Sequence, residues 1–405
     1  MSALTVLDSR YSWIRMGLTL AVAMVINAGM WLIISIMPAM QFELGVDRAD
    51  ASLPYTLTMI GFALGNFFIG RAVDRFGVSL CLIGAAVGVS LGMMLAVIST
   101  SIAMISLAQL LVGFASAVGF GPLIADISHW FMRRRGIAMA IVASGNYLSG
   151  VIWPVALSGM LADLGWRSVY STMAIVTVVV VIPLALILRR KVPEEAHARA
   201  EAVSSANAKS SGLSPTALAC LLGLAGIGCC VAMSMPQVHI VSYCVDLGYG
   251  PAVGAEMLAL MLAGGVVSRL ISGALADWLG GVRTILIGSA LQCIALFLYL
   301  PSDALISLYV VSLIFGLSQG GIVPSYAVVV REYMPAREAG ARVGFVLMAT
   351  IFGMAIGGWM SGWIYDLTGS YQLAFINGIA WNFLNIGILV WLLSRSRTQG
   401  ALQAA

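Results

Sequence analysis

The sequence predicts an all-α membrane protein: twelve transmembrane helices in two six-helix, pseudo-symmetric bundles. Three observations predict it, namely an apolar composition, a series of long apolar runs and an internal repeat. Of 405 residues, 60% are hydrophobic and 9% are charged, with a mean hydropathy of +0.99. Soluble domains carry about 25% charged residues, so the surface of this chain suits lipid rather than water.

Apolar runs long enough to cross about 30 Å of hydrocarbon as helices recur along the chain. They lie at about 15–37, 52–70, 78–98, 102–126, 136–160, 167–188, 215–242, 252–274, 283–300, 303–330, 339–363 and 370–393. Their length and continuity exclude barrel strands, in which residues alternate. No small-residue cleavage pattern follows the first run, so it is expected to remain as a span. Eighteen of the 21 Lys and Arg fall at one set of alternate span ends. Arg48 and Arg167 lie at the other set, and Arg269 lies inside a run. The positive-inside rule then predicts that both termini and the central loop are cytoplasmic. The net charge of +4 thus reports orientation in a lipid bilayer and not nucleic-acid binding.

The six cysteines sit in or at the ends of apolar runs, without zinc or disulfide spacing. No metal cluster, phosphate-cradling loop or nucleophile triad is legible, so neither cofactor nor enzymatic chemistry is expected. Without a Walker-type sequence, energy should come from an ion gradient or from exchange.

Residues 191–213 are polar and rich in Ala and Ser, and read as a cytoplasmic linker between bundles at 1–190 and 214–405. The halves repeat. Gly70-Arg71-Ala72-Val73-Asp74-Arg75-Phe76-Gly77 matches Gly273-Ala274-Leu275-Ala276-Asp277-Trp278-Leu279-Gly280, 203 positions later. His129 to Gly136 matches the stretch from Glu332 to Gly340 at nearly the same offset.

These residues resemble the signature of the major facilitator superfamily, Gly-x-x-x-Asp-(Arg/Lys)-x-Gly between spans two and three, with a weaker copy between eight and nine. Leu80 stands where an Arg is common, and Trp278 where the second copy carries a base. The resemblance implies a gating role for Gly70, Asp74, Arg75, Gly77, Asp277 and Arg283. Phe42 to Arg48, Ser128 to Phe131, Gly165-Trp166-Arg167, Pro236 to His239 and Asp246 to Tyr249 are similar to the monocarboxylate-transporter branch, and to its bacterial members related to oxalate–formate exchangers. The resemblance covers roughly residues 15–393 and implies a multi-pass protein of the bacterial inner membrane, expected to be monomeric.

A carboxylate crossing hydrocarbon needs a compensating charge, and an intramembrane base is costly unless it is used. Arg269 fits as a substrate anchor through paired hydrogen bonds; a structural ion pair with Asp277 or a backbone cap is the alternative. The branch resembled here also has its substrate Arg in this helix. His239, Tyr243 and Asp246, spaced i, i+4, i+7, share a face of span seven and are candidates for proton coupling. Asp246 as a solvated loop acid and His239 as a core residue are the alternatives. In the bacterial branch a span-seven Asp communicates with the span-eight Arg; in animal members the acid lies one turn before that Arg, where this chain has Gly265. Asn27, Asn146, Gln319 and Tyr326 are further candidates for the substrate site, with helix–helix hydrogen bonding as the competing reading.

Two bases of related carriers are missing: a span-eleven Lys of the dicarboxylate exchanger and a first-span Lys of some animal members. One intramembrane base matches one carboxylate. The expectation is a carrier of a small monocarboxylate anion such as lactate or pyruvate, coupled to a proton and working by alternating access. A carboxylate exchanger, a multidrug–proton antiporter of the same fold and a carboxylate-binding membrane sensor are the alternatives.

Overall fold

The computed structural model describes residues 7–131, 135–190, 213–334 and 336–404. The expected linker lies outside the described residues except for Leu213, as do the side chains of Asp74 and Asp277. Among the described residues, twelve helices are long and apolar enough to cross a membrane. Spans 1 to 6 are Arg10–Leu44, Arg48–Val73, Val78–Ile98, Ile102–Ile127, Ile137–Ala156 and Ser158–Ile187; spans 7 to 12 are Pro215–Asp246, Pro251–Ala276, Gly281–Tyr299, Leu305–Val330, Arg342–Thr368 and Gln372–Arg395. Span 6 is broken at Gly165, whose φ of 76° favours glycine, so its long apolar part begins where the sequence predicts.

Helices dominate because an unpaired peptide group in hydrocarbon costs several kcal/mol and a helix satisfies every group within its own segment. Spans 1 to 6 pack together, spans 7 to 12 pack together, and the two bundles meet where span 2 crosses span 11 and span 5 crosses span 8. The face bearing the Arg-rich loops is called here the basic face, and the opposite one the far face.

The repeat read from the loops extends to individual helix contacts. Gly113 in span 4 lies so close to span 2 that a Cβ there would sit 1.9 Å from the Thr58 carbonyl oxygen. Its counterpart 203 positions on, Gly316 in span 10, would meet the Met261 carbonyl oxygen of span 8 at 2.1 Å. Gly61 against Leu110 and Gly264 against Leu313 repeat the arrangement. Small residues allow backbones to approach this closely where lipid supplies no hydrophobic drive to association. The signature loops match as well: Gly77 (φ 83°) and Gly280 (φ 85°) turn the chain from span 2 into span 3 and from span 8 into span 9.

Spans 4 and 10 are interrupted at equivalent places. Span 4 runs as Ile102–Ser116, a 3₁₀ turn Ala117–Gly119, then Gly121–Ser128. Span 10 runs as Leu305–Gln319, then Ile322–Tyr333. Such breaks are tolerated at membrane depth where other groups take up the freed carbonyls.

Gly113→Ala and Gly316→Ala should each destabilise the protein by the cost of overpacking, about 1–3 kcal/mol. Gly387→Ala, where a Cβ meets nothing within 4 Å, should leave stability unchanged or raise it. Denaturation of the purified protein in detergent checks both.

Candidate functional site

A cavity of about 70 Å³ lies where the bundles meet. Three pairs of its lining residues are repeat equivalents 203 positions apart: Met30 and Met233, Phe120 and Val323, Tyr147 and Thr350. The cavity therefore straddles the pseudo-twofold axis, and Phe120 and Val323 line it at the two helix breaks.

Arg269 of span 8 supplies the cavity's charged group. It is 6% exposed. Its Nε donates to the Gly320 carbonyl at 3.2 Å, an oxygen presented by the break in span 10. Nη1 crosses to the first bundle and donates to the Ala143 carbonyl at 2.7 Å. The guanidinium carbon lies 4.1 Å from the centre of the Tyr147 ring, a cation–π contact. The ion pairs among the described residues are Arg15–Asp126, Arg48–Asp246 and Arg167–Glu43, so Arg269 has no acid partner there.

The Tyr147 ring fills the position of the absent acid. A Cβ on Gly265, one turn before Arg269, would lie 2.7 Å from that ring. Two carbonyl dipoles and an aromatic face replace a carboxylate, and they leave the positive charge unneutralised. The first-repeat equivalent of Arg269 is Asn66, whose Nδ2 donates to the Phe62 carbonyl of its own helix.

Among the other residues singled out, Asn146 lines the cavity and donates from Nδ2 to Asn27 Oδ1 at 3.2 Å. Asn27 sits at a break in span 1 and donates to the Ala23 and Gly119 carbonyls, so it ties spans 1, 4 and 5 together behind the cavity wall. Gln319 accepts from the Tyr147 hydroxyl at 3.1 Å across the bundle boundary. Tyr326 turns elsewhere: its hydroxyl donates to Asn385, which bonds Ser289 within the second bundle. Gly70, Arg75, Gly77 and Arg283 lie at span ends on the basic face, and the roles expected of Asp74 and Asp277 fall on side chains outside the described residues.

Asp246 and His239 belong to a second cluster, at the far face. Arg48 of span 2, 7% exposed, donates from Nη2 to both Asp246 oxygens at 3.0 and 3.3 Å. Its Nη1 donates to the Tyr371 hydroxyl at 3.1 Å. The Asp366 carboxylate of span 11 accepts from the backbone N–H of Arg48 at 2.8 Å and of Ala49 at 2.7 Å. It thereby caps span 2 from the opposite bundle, while Asp47 at the cap position makes no side-chain cap. His239 Nε2 faces the Gly358 carbonyl at 2.7 Å, and a carbonyl only accepts, so Nε2 carries the proton. In the neutral ring Nδ1 then accepts from the Tyr371 hydroxyl at 3.0 Å. The cluster is one chain of donors: Arg48 to Tyr371, Tyr371 to His239, His239 to Gly358. Asp246 pairs with Arg48 and not with Arg269.

Sequence reasoning passed over Tyr147, Tyr55, Arg48, Asp366 and Tyr371. The available signal was Arg48 itself, one of two bases in loops otherwise free of them. The tyrosines carry no such mark, since twelve are spread along the chain.

A buried guanidinium, presented to a cavity between two repeated bundles of membrane-spanning helices, fits a membrane transporter. The profile of the Major Facilitator Superfamily matches residues 19–340 and 246–405, and the chain belongs to that superfamily. It is 26% identical over 344 residues to monocarboxylate transporter 13 of Bos taurus, covering 83% of this chain and 79% of that one. It is 30% identical over 238 residues to the MFS-type transporter pytF of Aspergillus terreus, covering 58% and 78%. Among solved structures, a bacterial homolog of the human lysosomal transporter Spinster, inward-facing and unoccupied, superposes with a TM-score of 0.71 at 13% identity, over 96% of this chain and 98% of that one. The nucleoside transporter NupG gives 0.70 at 13% identity, over 93% and 99%.

A double-mutant cycle on Arg48→Met and Asp246→Leu should return a coupling of about 0.5–3 kcal/mol. Chemical denaturation of the four proteins measures it; additive effects would mean that the pair does not bind the bundles together.

Proposed function

We propose that this transporter carries a small organic monocarboxylate, with Arg269 holding the carboxylate. The observation that carries the reading is a buried guanidinium without an acid partner among the described residues, facing a cavity that is otherwise mostly apolar. Its charge is compensated when an anion arrives. With Arg269 as the charged residue of the cavity lining, a second carboxylate would enter uncompensated, which favours monocarboxylates over dicarboxylates. The cavity of about 70 Å³ is well below the ~150 Å³ of an engineered dry cavity that takes up benzene. Acids of the size of lactate or pyruvate suit it better than aryl acids.

The far-face cluster supports coupling to a proton through Asp246 and His239. In the structure Asp246 accepts from Arg48, and His239 bonds the Tyr371 hydroxyl through Nδ1. A proton on Asp246 weakens its pair with Arg48. A proton on His239 Nδ1 takes away the acceptor for Tyr371 and faces that hydroxyl with two cationic donors. Either event loosens span 2 from spans 7 and 11. The bundles at 1–190 and 214–405 then rock about the cavity, with 191–213 as their linker. The excess of Lys and Arg on the basic face supports a cytoplasmic position for it and for both termini, with the far face outside a bacterial inner membrane. A carboxylate exchanger is the second reading, favoured by Gly265 where animal members place an acid beside the Arg.

Uptake of labelled lactate and pyruvate into proteoliposomes, with and without an inward proton gradient, tests the proposal. Arg269→Ala removes charge-assisted bonds worth roughly 3 kcal/mol together, so uptake efficiency should fall about a hundredfold. Asp246→Asn should abolish acceleration by the gradient and leave exchange against preloaded anion intact. Unchanged uptake by Arg269→Ala would overturn the anchor, and gradient acceleration surviving Asp246→Asn would overturn its role in coupling.

A further inference from the structure

We infer that Tyr55 is a specificity-determining residue of this carrier, donating a hydrogen bond to an oxygen on the carbon next to the substrate's carboxylate. The inference rests on the reading of Arg269 as the carboxylate anchor. Tyr55 belongs to span 2 of the first bundle and lines the same cavity as Arg269 of the second. It is 1% exposed, and its hydroxyl has no hydrogen-bond partner among the described residues. Buried hydroxyls nearly always have one, and an unbonded one is costly.

The other hydroxyl and indole donors of the wall are already committed. The Trp31 indole N–H donates to the Asn146 carbonyl, the Tyr147 hydroxyl to Gln319 and the Thr350 hydroxyl to the Leu347 carbonyl. Much of the remaining wall is apolar, with Met59, Phe62, Phe120 and Met354. Packing, not hydrogen bonding, holds the Tyr55 ring: a Cβ on Gly358 would lie 3.1 Å from two of its ring atoms, so the glycine makes room for its face. A hydroxyl fixed in this way keeps its proton for a ligand.

A donor placed so discriminates between acids of one size. A 2-hydroxy or 2-oxo acid offers the acceptor that Tyr55 needs. The plain alkanoate with the same number of carbons leaves the hydroxyl buried and unbonded, and sites built to bond a substrate oxygen reject analogues that lack it. The bond also joins the bundles, because Tyr55 of span 2 and Arg269 of span 8 would hold one substrate molecule between them.

Competition against labelled pyruvate uptake in proteoliposomes, with lactate, pyruvate and propionate as competitors, provides the test in the native protein and in Tyr55→Phe. The native carrier should prefer lactate and pyruvate over propionate by about tenfold or more. Tyr55→Phe keeps the ring and its packing and removes one oxygen; it should bring the three acids within about twofold of each other, mainly by weakening lactate and pyruvate. Equal loss for all three acids, or selectivity unchanged in Tyr55→Phe, would overturn the role of Tyr55 while leaving Arg269 as anchor. Failure of the native protein to take up any of these acids would overturn the anchor reading and this inference with it. Tyr55→Leu, with the ring gone, serves as the packing control: restored selectivity there would also overturn the inference.

Discussion

Hydrocarbon offers a peptide group no partner, and the architecture follows from that constraint. Twelve helices satisfy their own backbones, and their neighbours are held by close approach at residues without side chains. Gly113 against Thr58 and Gly316 against Met261 are the clearest cases, since the backbones nearly touch. Irregular backbone is then affordable only where protein takes up the freed groups. The breaks in spans 4 and 10 obey this rule: Gly119 accepts from Asn27 and Gly320 from Arg269. The same interruption that shapes the cavity thus supplies a carbonyl for its charge.

Arg269 is solvated by the protein only in part. Two carbonyl oxygens and the face of Tyr147 stabilise it, and an arginine keeps its proton where a lysine readily loses its own. An acid at position 265 would neutralise it permanently and compete with an incoming anion. Gly265 and the ring that fills its place leave the charge without an acid partner among the described residues. At the far face the logic is reversed: Arg48 has an acid partner, Asp246, besides the Tyr371 hydroxyl and the Tyr365 ring, so its charge is compensated within the protein.

The spans, the repeat and the intramembrane Arg were legible in the sequence, because length, hydropathy and a lone charge are properties of the chain itself. The cavity's polar lining was legible only in fragments. Asn146 lines the cavity, Asn27 and Gln319 bond to groups of its wall, and Tyr326 turns to Asn385. Which face of an apolar helix points inward depends on how the bundle packs, and a nearly all-apolar run carries little record of it. Contacts between bundles were the least legible. Asp366 capping span 2 involves residues 318 positions apart, and no local pattern distinguishes it from an ordinary loop acid. Arg48, far from it in sequence, is the ion-pair partner of Asp246, a pairing across bundles that no local pattern marks.

The repeat is faithful in shape and unfaithful in charge. Met30 answers Met233 and Phe120 answers Val323 across the axis, but Arg269 answers Asn66. A pocket with near-twofold walls and a one-sided charge gives an asymmetric cargo a head and a tail. If Arg269 anchors the carboxylate, the anionic end travels with the second bundle in both half-cycles, and the polarity of the bound molecule stays fixed to one half of the protein while the membrane side it faces changes.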